Sequence, residues 1–260
     1  MEKLTVLSPH RDDSSFSLGL TLSLLSAAAI KLHVLNFFTQ SAYAPHSSAE
    51  TLEEVSAIRD EEDRKALAFI HSGIEITSLG LLDAPWRLDL PFSQITQQQS
   101  AQKISYDELC QLSEQIRQHC AGDLVVAPLG LGNHVDHMAV HKAAISSVSS
   151  QNLAFYEDLP YVTWTPTADL QARIESVERT TGVQLEPLVF HIKDAAKQKR
   201  QIAGFYQSQI TAEEANNIAR YAESYGGGER LWLPVSSESW KAIRLLATES
   251  LQTATPYPPR

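Results

Sequence analysis

The sequence predicts an α/β fold with a Rossmann-like, doubly wound, mainly parallel sheet and helices on both faces of that sheet. Strand and helix patterns alternate along the chain as far as Tyr156, and this order favours parallel strands joined by crossover helices. The composition agrees, because 260 residues with 43% hydrophobic and 20% charged residues can bury a full core.

The first half of the chain supplies the regular part of this pattern. Short apolar strands are predicted at residues 5–7, 31–38, 74–79, 123–127 and 153–156, with Pro128 closing the fourth. Helices are predicted between them at residues 16–30, 50–71, 106–119 and 136–149. The helix over 50–71 is charged but carries an apolar stripe suited to packing on a sheet. The stripe consists of Leu52, Val55, Ile58, Leu67 and Ile70. The Gln- and Ser-containing stretch 93–102 is predicted to be a long surface loop.

The second half is less regular, because Pro160 and Pro166 interrupt it. Helices are predicted at 167–180, 194–206 and 212–225, and strands at 184–191 and 231–235. The glycines 226–228 are expected to end the last of these helices. We expect one domain over 1–260, with a core over 1–165, an α/β part over 166–250 and a loose tail over 252–260.

Charge, hydropathy and cysteine content limit the classes of function. A net charge of -10 and a pI of about 5.3 disfavour nucleic acid as a partner. The longest apolar stretch, residues 18–30, is shorter than the roughly 20 residues of a membrane helix, so we expect no membrane span. Cys110 and Cys120 lie ten residues apart on one predicted helix and its turn, too distant for a disulfide. With no signal-peptide pattern at the N-terminus, we expect a cytoplasmic protein with both thiols reduced.

The first polar motif, Ser8-Pro9-His10-Arg11-Asp12-Asp13, follows the first strand directly. In a doubly wound sheet this is the carboxyl edge, where ligands bind. His10 can ligate a metal, one aspartate can complete the chelate, and the other can act on a water molecule. A helix N-cap formed by Asp13 or Ser14 is an equally open alternative.

The second polar motif, Gly132-Asn133-His134-Val135-Asp136-His137, follows the fourth strand and therefore lies at the same edge. His134 and His137 are three residues apart and can share one site, while Asp136 can orient a ring. His141 is expected to be a bystander. The two motifs together predict one site, because two histidines and one carboxylate are a common catalytic zinc set.

The paired motifs resemble those of the PIG-L/LmbE-like deacetylase family, which read His-Pro-Asp-Asp-Glu and His-Pro-Asp-His. The resemblance covers roughly residues 1–165. Members of that family use zinc to remove acetyl from N-acetylglucosamine-type groups. The resemblance implies a single deacetylase domain with Zn²⁺, or another divalent metal, held by His10, Asp13 and His137. It implies Asp12 as the general base.

The resemblance also implies roles for residues around the metal. It implies that His134 stabilises the oxyanion and protonates the leaving amine, with Asp136 holding that ring charged. For contact with the substrate, the matching segments supply four candidates: Arg59, Asp83, Arg87 and Tyr156. An aromatic wall against a sugar ring is a further hypothesis, with packing as the commoner role of such residues. The wall would consist of Trp86, Trp164, Tyr156 and Tyr161.

The chain departs from the family motifs at four positions. Arg11 and Val135 stand where the family has Pro, and Ser14 stands where it has Glu. Gly132 stands where some relatives place a Tyr that contacts the oxyanion, so we expect that contact to come from elsewhere. No implied ligand position is lost, and we therefore expect an active enzyme.

Three functions compete at this point. The first is a zinc-dependent deacetylase of an N-acetylated amino sugar or glycoconjugate, and the second applies the same chemistry to another acylated small molecule. The third is a non-catalytic sugar- or nucleotide-binding module, which is disfavoured because the first strand is not followed by G-x-G-x-x-G. We expect a small-molecule substrate and a homo-oligomer, as the family resemblance implies.

Overall fold

The computed structural model describes residues 3–253 and has the α/β fold that the sequence predicts. Its strands are β1 Lys3–Ser8, β2 Lys31–Asn36, β3 Glu75–Ser78, β4 Leu124–Pro128, β5 Leu153–Tyr156, β6 Leu185–His191 and β7 Gly228–Pro234. Its helices are α1 Asp13–Ala27, α2 Leu52–Ile70, α3 Ala84–Arg87, α4 Tyr106–His119, α5 Val135–Ser147, α6 Thr167–Thr181, α7 Ala195–Ala203, α8 Ala212–Glu223 and α9 Lys241–Thr253.

The strands described form one sheet in the order β3-β2-β1-β4-β5-β7-β6. β1 to β5 are parallel to one another, whereas β7 runs antiparallel to both β5 and β6. The chain moves outward from β1 to β3 and then returns to place β4 on the other side of β1. This reversal leaves a crevice at the carboxyl ends of β1 and β4, where ligands bind in sheets of this kind.

Helices cover both faces of the sheet, as predicted. Val6 of β1 packs in a cluster with Leu18 of α1, and its neighbour Leu7 packs in a second cluster with Ala139 of α5. Successive strand residues point to opposite faces, so the two clusters are the two halves of the core. Both faces of β1, β4 and β5 are closed to water, and the polar loops at the carboxyl edge are left to form a site.

The structure differs from the sequence prediction in the second half of the chain. α9 was not predicted, and it packs through Ile243 and Ala247, which lie one turn apart. β7 begins at Gly228 rather than residue 231, because Gly228 pairs with His191 of β6. The predicted loop 93–102 instead contains 3-10 turns at Phe92–Gln94 and Gln98–Lys103. Residues 252–253 of the predicted loose tail belong instead to α9, and residues 254–260 lie outside the described part.

The membrane and cysteine predictions can be compared with the described residues. Over 3–253, the helices are too short or too polar to cross a bilayer. Cys110 is exposed, Cys120 is buried, and both are free thiols.

Candidate metal centre and active site

The two polar motifs meet at the carboxyl edge of the sheet. β1 and β4 are adjacent, with Val6 paired to Val126, so the loops that follow them leave the sheet side by side. His10, Asp13 and His137 are brought together there, with their ligand atoms within 4.8 Å of one another. Oδ2 of Asp13 lies 3.4 Å from Nδ1 of His10 and 3.3 Å from Nε2 of His137. This is the trio that the family resemblance implies.

The start of α1 leaves both aspartates of the first motif available to the site. α1 begins at Asp13, and Asp12 at the N-cap makes no capping hydrogen bond with its side chain. Ser8 Oγ instead accepts the Ser14 N–H at 3.0 Å, while Asp13 Oδ2 accepts the His10 N–H at 2.7 Å. The helix-capping interpretation of these carboxylates is therefore wrong, because a serine on β1 caps the helix.

Arg11 shows how the chain compensates for the missing proline of the first motif. Its guanidinium donates to Ser78 Oγ at 2.9 Å and forms an ion pair with Asp60. Arg11 is only 8% exposed, so its side chain ties the loop to the end of β3 and to α2. A side-chain anchor replaces the restriction that a proline ring would place on the backbone.

Replacing Arg11 by alanine is expected to lower the free energy of unfolding by about 1–3 kcal/mol, because it removes charged hydrogen bonds of a buried side chain. Activity should also fall, since the loop that presents His10 loses its anchor. Arg64→Ala is the matched control, because Arg64 contacts the same Asp60 but is 60% exposed. Urea unfolding of both variants tests this, and equal losses would contradict an anchoring role for Arg11.

Asp158 orients His137, and the sequence analysis did not identify this role. Nδ1 of His137 hydrogen-bonds to Asp158 Oδ1 at 2.7 Å, and Asp158 Oδ2 accepts the Leu131 N–H at 3.1 Å. Asp158 is completely buried. Nε2 of His137 consequently faces Asp13 and, among residues 3–253, has no hydrogen-bond partner. In metal-binding histidines, one ring nitrogen binds the metal and a carboxylate often holds the other. His137 fits this arrangement, because Asp158 holds its Nδ1 and its buried Nε2 is free within the described residues.

Asp136 orients His10 rather than His134. Its Oδ2 contacts Nε2 of His10 at 2.9 Å and accepts the Ala84 N–H at 3.0 Å, while its Oδ1 pairs with Arg87 at 2.6 Å. Nδ1 of His10 is thereby left to face Asp13. Burial opposes the charged form of His10, but its hydrogen bonds to Asp13 and Asp136 outweigh that effect and raise the pKa of His10 to about 10. The surrounding carboxylates therefore favour a cation at this point.

His134 is a neutral ring at the edge of this cluster. Its Nδ1 accepts the backbone N–H of Asp136 at 3.2 Å, and its ring lies 4.8 Å from that of His10. Burial, followed by the charge of His10, lowers the pKa of His134 well below 6.5. The expectation that Asp136 holds His134 charged is wrong, because the carboxylate points to His10 and Arg87. With Nδ1 accepting, the proton of the neutral ring resides on Nε2.

A second possible cation cluster shares His10 with the first. His10, His134 and Asp136 also have ligand atoms within 4.8 Å of one another. In that cluster, however, both oxygens of Asp136 already bind donors from His10, Ala84 and Arg87. The first trio is the better fit to a metal, because Nε2 of His137 has no hydrogen-bond partner among the residues that the structure describes. His141 belongs to neither trio, because its Nδ1 faces the Pro128 carbonyl at 2.8 Å.

A cavity of about 500 Å³ opens beside the cluster. Asp12 and Arg59 both line it, and Arg59 Nη2 lies 3.4 Å from Asp12 Oδ1. Burial raises the pKa of Asp12 even though Arg59 favours the carboxylate. Asp83, Tyr161 and Trp164 line the same cavity. These residues are placed where a substrate could reach them.

Two of the candidate substrate contacts do not face this cavity. Tyr156 is fully buried on β5 and donates its hydroxyl hydrogen to the Leu7 carbonyl at 3.1 Å. Arg87 pairs with Asp136 and Glu108 and lies over the ring of Phe38. The structure thus contradicts substrate contact by Tyr156 and Arg87, because Tyr156 bonds to the backbone of β1 inside the sheet and Arg87 pairs with the Asp136 carboxylate. The aromatic wall is reduced to Tyr161 and Trp164, since Trp86 also lies outside the cavity lining.

Tyr161 fills the space next to Gly132. Gly132 has φ +72°, and a Cβ built on it would lie 2.6 Å from Cβ of Tyr161. The Tyr161 ring packs edge-on against His137, with a centroid separation of 5.2 Å. A side chain at 132 and this position of Tyr161 are therefore mutually exclusive, and the structure places a tyrosine beside the histidines from a different loop.

Comparison with known proteins gives matches over most of the chain. The profile of the PIG-L family, described as GlcNAc-PI de-N-acetylase, matches residues 5–148. A 2'-N-acetylparomamine deacetylase of Streptomyces fradiae is 28% identical over 233 residues, which cover 87% of this chain and 80% of the relative.

Solved structures of low sequence identity share the fold. A deacetylase of the teicoplanin biosynthesis pathway, crystallised in its bog complex, has a TM-score of 0.65 at 21% identity, covering 88% of this chain and 96% of its own. The N,N'-diacetylchitobiose deacetylase of Pyrococcus horikoshii has a TM-score of 0.59 at 20% identity, covering 90% and 84%. The fold of this chain is thus shared, over most of its length, with solved structures.

Proposed function

Because this chain belongs to the PIG-L family, whose profile matches more than half of it, we propose that it is a zinc-dependent N-deacetylase of an N-acetylated amino sugar or a related small glycoconjugate. We place the activity in a single domain over 1–260. The observation that carries the proposal is Nε2 of His137, which has no hydrogen-bond partner in the described part of the chain and converges with His10 and Asp13 beside a cavity lined by Asp12.

The donor set fits a catalytic zinc ion. Nδ1 of His10, a carboxylate oxygen of Asp13 and Nε2 of His137 would hold it, and two histidines with one carboxylate leave a position open. Asp136 and Asp158 would keep the two rings oriented. A divalent cation bound there supplies Lewis-acid chemistry toward water and the amide carbonyl.

The chain's own residues supply the proton transfers and the hydrogen bonds of the reaction. Asp12 takes a proton from the attacking water, whose oxygen bonds to the acetyl carbon. Nε2–H of His134 donates to the oxyanion that develops on the carbonyl oxygen. When the C–N bond breaks, the proton on Asp12 passes to the leaving nitrogen; this replaces the expected proton transfer from His134, because burial and the charge of His10 keep the pKa of that ring low. The products are acetate and a free amine.

Tyr161 is the proposed additional donor to the oxyanion. It lines the cavity together with His134, and the centroids of the two rings are 5.9 Å apart. It therefore takes the place of the tyrosine that some relatives carry at the position of Gly132.

Tyr161→Phe is expected to lower kcat by about 10²-fold, the effect of losing one oxyanion donor, with little change in KM. Tyr43→Phe is the control, because Tyr43 lines the same cavity but packs on Phe92 rather than on the histidines. Steady-state kinetics on one N-acetylated substrate would measure both. An unchanged kcat in Tyr161→Phe would remove Tyr161 from the mechanism.

The proposed function is tested by metal analysis followed by a screen for released amine. The purified protein should contain about one zinc per chain, and acetate should be released from N-acetylated amino sugars. Release from acylated non-sugar metabolites alone would favour the alternative substrate class. A protein that binds no divalent metal and releases no amine from either set would be a non-catalytic binding module.

A further inference from the structure

Glu157 is a buried carboxylate that the proposed reaction does not use. It follows β5 directly, is 4% exposed, and accepts hydrogen bonds on both of its oxygens. Oε2 accepts from the hydroxyls of Tyr221 and Tyr225, each at 2.7 Å. Oε1 accepts from Arg230 Nε at 2.7 Å and from Trp232 Nε1 at 2.9 Å. A buried carboxylate is costly unless it is paired and hydrogen-bonded, and here the Arg230 guanidinium supplies the opposite charge.

The donors to Glu157 come from the C-terminal part of the chain. They lie on α8, on β7 and in the turn between these two elements. The Arg230 guanidinium also lies over the Tyr225 ring, 4.3 Å from its centroid, so the cluster is packed as well as hydrogen-bonded. Glu157 and these donors all lie beyond residues 5–148, which the family profile matches, so the match assigns them no role.

The two residues after Glu157 are tied to other parts of the site. Asp158 holds Nδ1 of His137, a residue of α5, at 2.7 Å. The Leu159 N–H donates to Ser17 Oγ at 3.1 Å, and Ser17 lies on α1, the helix that begins at the first motif. Three consecutive residues therefore leave β5 with each one held by a different part of the fold.

The hydrogen bond between His137 and Asp158 tolerates little movement of this segment. Neighbouring Cα atoms are joined by a rigid peptide, so a shift of Glu157 moves Asp158 with it. A bond of 2.7 Å leaves hydrogen-bonding range after a shift of about 0.5–1 Å. Tyr161, the proposed oxyanion donor, lies on the same segment, where the Val162 N–H donates to the Asp158 carbonyl at 2.9 Å. Both groups therefore depend on what holds the start of the segment.

We propose that Glu157 is a positioning residue for the metal centre: held by α8 and β7, it keeps Asp158 bonded to His137 and Tyr161 beside the histidines. The inference rests on the proposed function and extends its site to the C-terminal part of the chain. Glu157 does not line the active-site cavity, so it acts through Asp158. Groups outside the ligand set commonly orient metal-binding histidines, and Glu157 would hold such a group in turn.

Zinc affinity tests this inference, because the loss of a merely structural residue would leave it unchanged. Glu157→Gln keeps the size of the side chain but turns amide hydrogens toward donors, and Arg230→Met removes the charged donor. Each should weaken zinc binding by about tenfold, the lower end of the effect of losing an outer carboxylate. Turnover at saturating zinc should also fall by about tenfold, because Tyr161 moves with the segment. Competition with a chromophoric chelator and steady-state kinetics would measure the two quantities.

Arg244→Met is the matched control for Arg230→Met. Arg244 is also a partly buried arginine, with 25% of its side chain exposed against 18% for Arg230. It binds Glu186 of β6 at 2.8 Å and the Ser237 carbonyl at 2.7 Å, away from the segment that carries Asp158. Its loss should lower the melting temperature but leave zinc affinity and kcat at wild-type values. Equal zinc affinity and kcat in the two variants would overturn the inference.

Tyr225→Phe keeps the inference testable if the larger changes prevent folding. It removes one hydroxyl donor to Glu157 and leaves both charges of the cluster in place. Zinc binding should weaken by about threefold, the effect of losing one neutral hydrogen bond. Wild-type zinc affinity in every folded variant of the cluster would overturn the inference.

A measurement on the metal-free protein separates this inference from the proposed function. The Nδ1–H of His137, bonded to Asp158, should give a downfield NMR proton signal in protein with isotope-labelled histidines, and its loss in His137→Ala assigns it. The signal should persist in Arg244→Met and should broaden or move upfield in Glu157→Gln. An unchanged signal in Glu157→Gln would overturn the inference even if the wild type is an active deacetylase. A wild type that releases no acetate would contradict the proposed function and leave this result unaffected.

Discussion

Replacing Asp12 by asparagine is expected to lower turnover by about 10²–10⁴-fold without releasing the metal, because the amide cannot accept the proton of the attacking water. Asp12 lines the cavity next to Asp13 but lies outside the trio of ligand atoms. Its carboxylate accepts from Arg59 at 3.4 Å, and an asparagine oxygen can still accept there while Arg59 keeps its bonds to Ser41 and the Tyr43 carbonyl, so the fold should survive the change. Steady-state kinetics and metal analysis of the same preparation would measure both quantities.

Asp107→Asn is a suitable control for the Asp12 variant, because Asp107 is exposed in the first turn of α4. It should retain wild-type turnover and metal content. Loss of zinc from Asp12→Asn would identify Asp12 as a ligand instead of a base. Turnover within a few-fold of the wild type would exclude it from the proton transfer.

His137→Ala is expected to abolish both zinc binding and turnover, because it removes a ligand nitrogen that no other described contact occupies. His141→Gln is the matched variant on the same helix, since His141 faces the Pro128 carbonyl rather than the trio. His141→Gln should keep its metal even if packing around it is weakened. Zinc retained by His137→Ala and lost by His141→Gln would refute the ligand assignment.

Asp158→Asn provides a graded version of the same experiment. The change weakens the hydrogen bond that holds His137, and the loss of such an outer carboxylate costs about 10–100-fold in metal affinity or activity. Turnover should therefore recover in part when zinc is added, which no ligand deletion should show. Metal titration followed by activity measurement distinguishes the two cases, and a wild-type affinity for zinc would contradict the orienting role of Asp158.

The fold and the meeting of the two motifs could be predicted because both follow from local patterns. The alternation of strands and helices up to Tyr156 determined a parallel sheet, and the position of each motif after a strand determined its edge. The helix over Tyr106–His119 and the strand over Leu153–Tyr156 have the predicted boundaries. These features depend on residue order and periodicity, which one sequence contains.

The contacts between distant residues were decided by tertiary structure. Asp136 serves His10, which lies 126 positions away, rather than the nearby His134. Similarly, Asp158 holds His137, and Tyr161 occupies the space beside Gly132. The sequence by itself therefore determined which chemical groups reach this edge of the sheet. Which of these groups contact one another was decided only by the packing of loops that follow separate strands. The physical reason is that a side chain bonds to the groups that are near it in space, and these are often distant in the sequence.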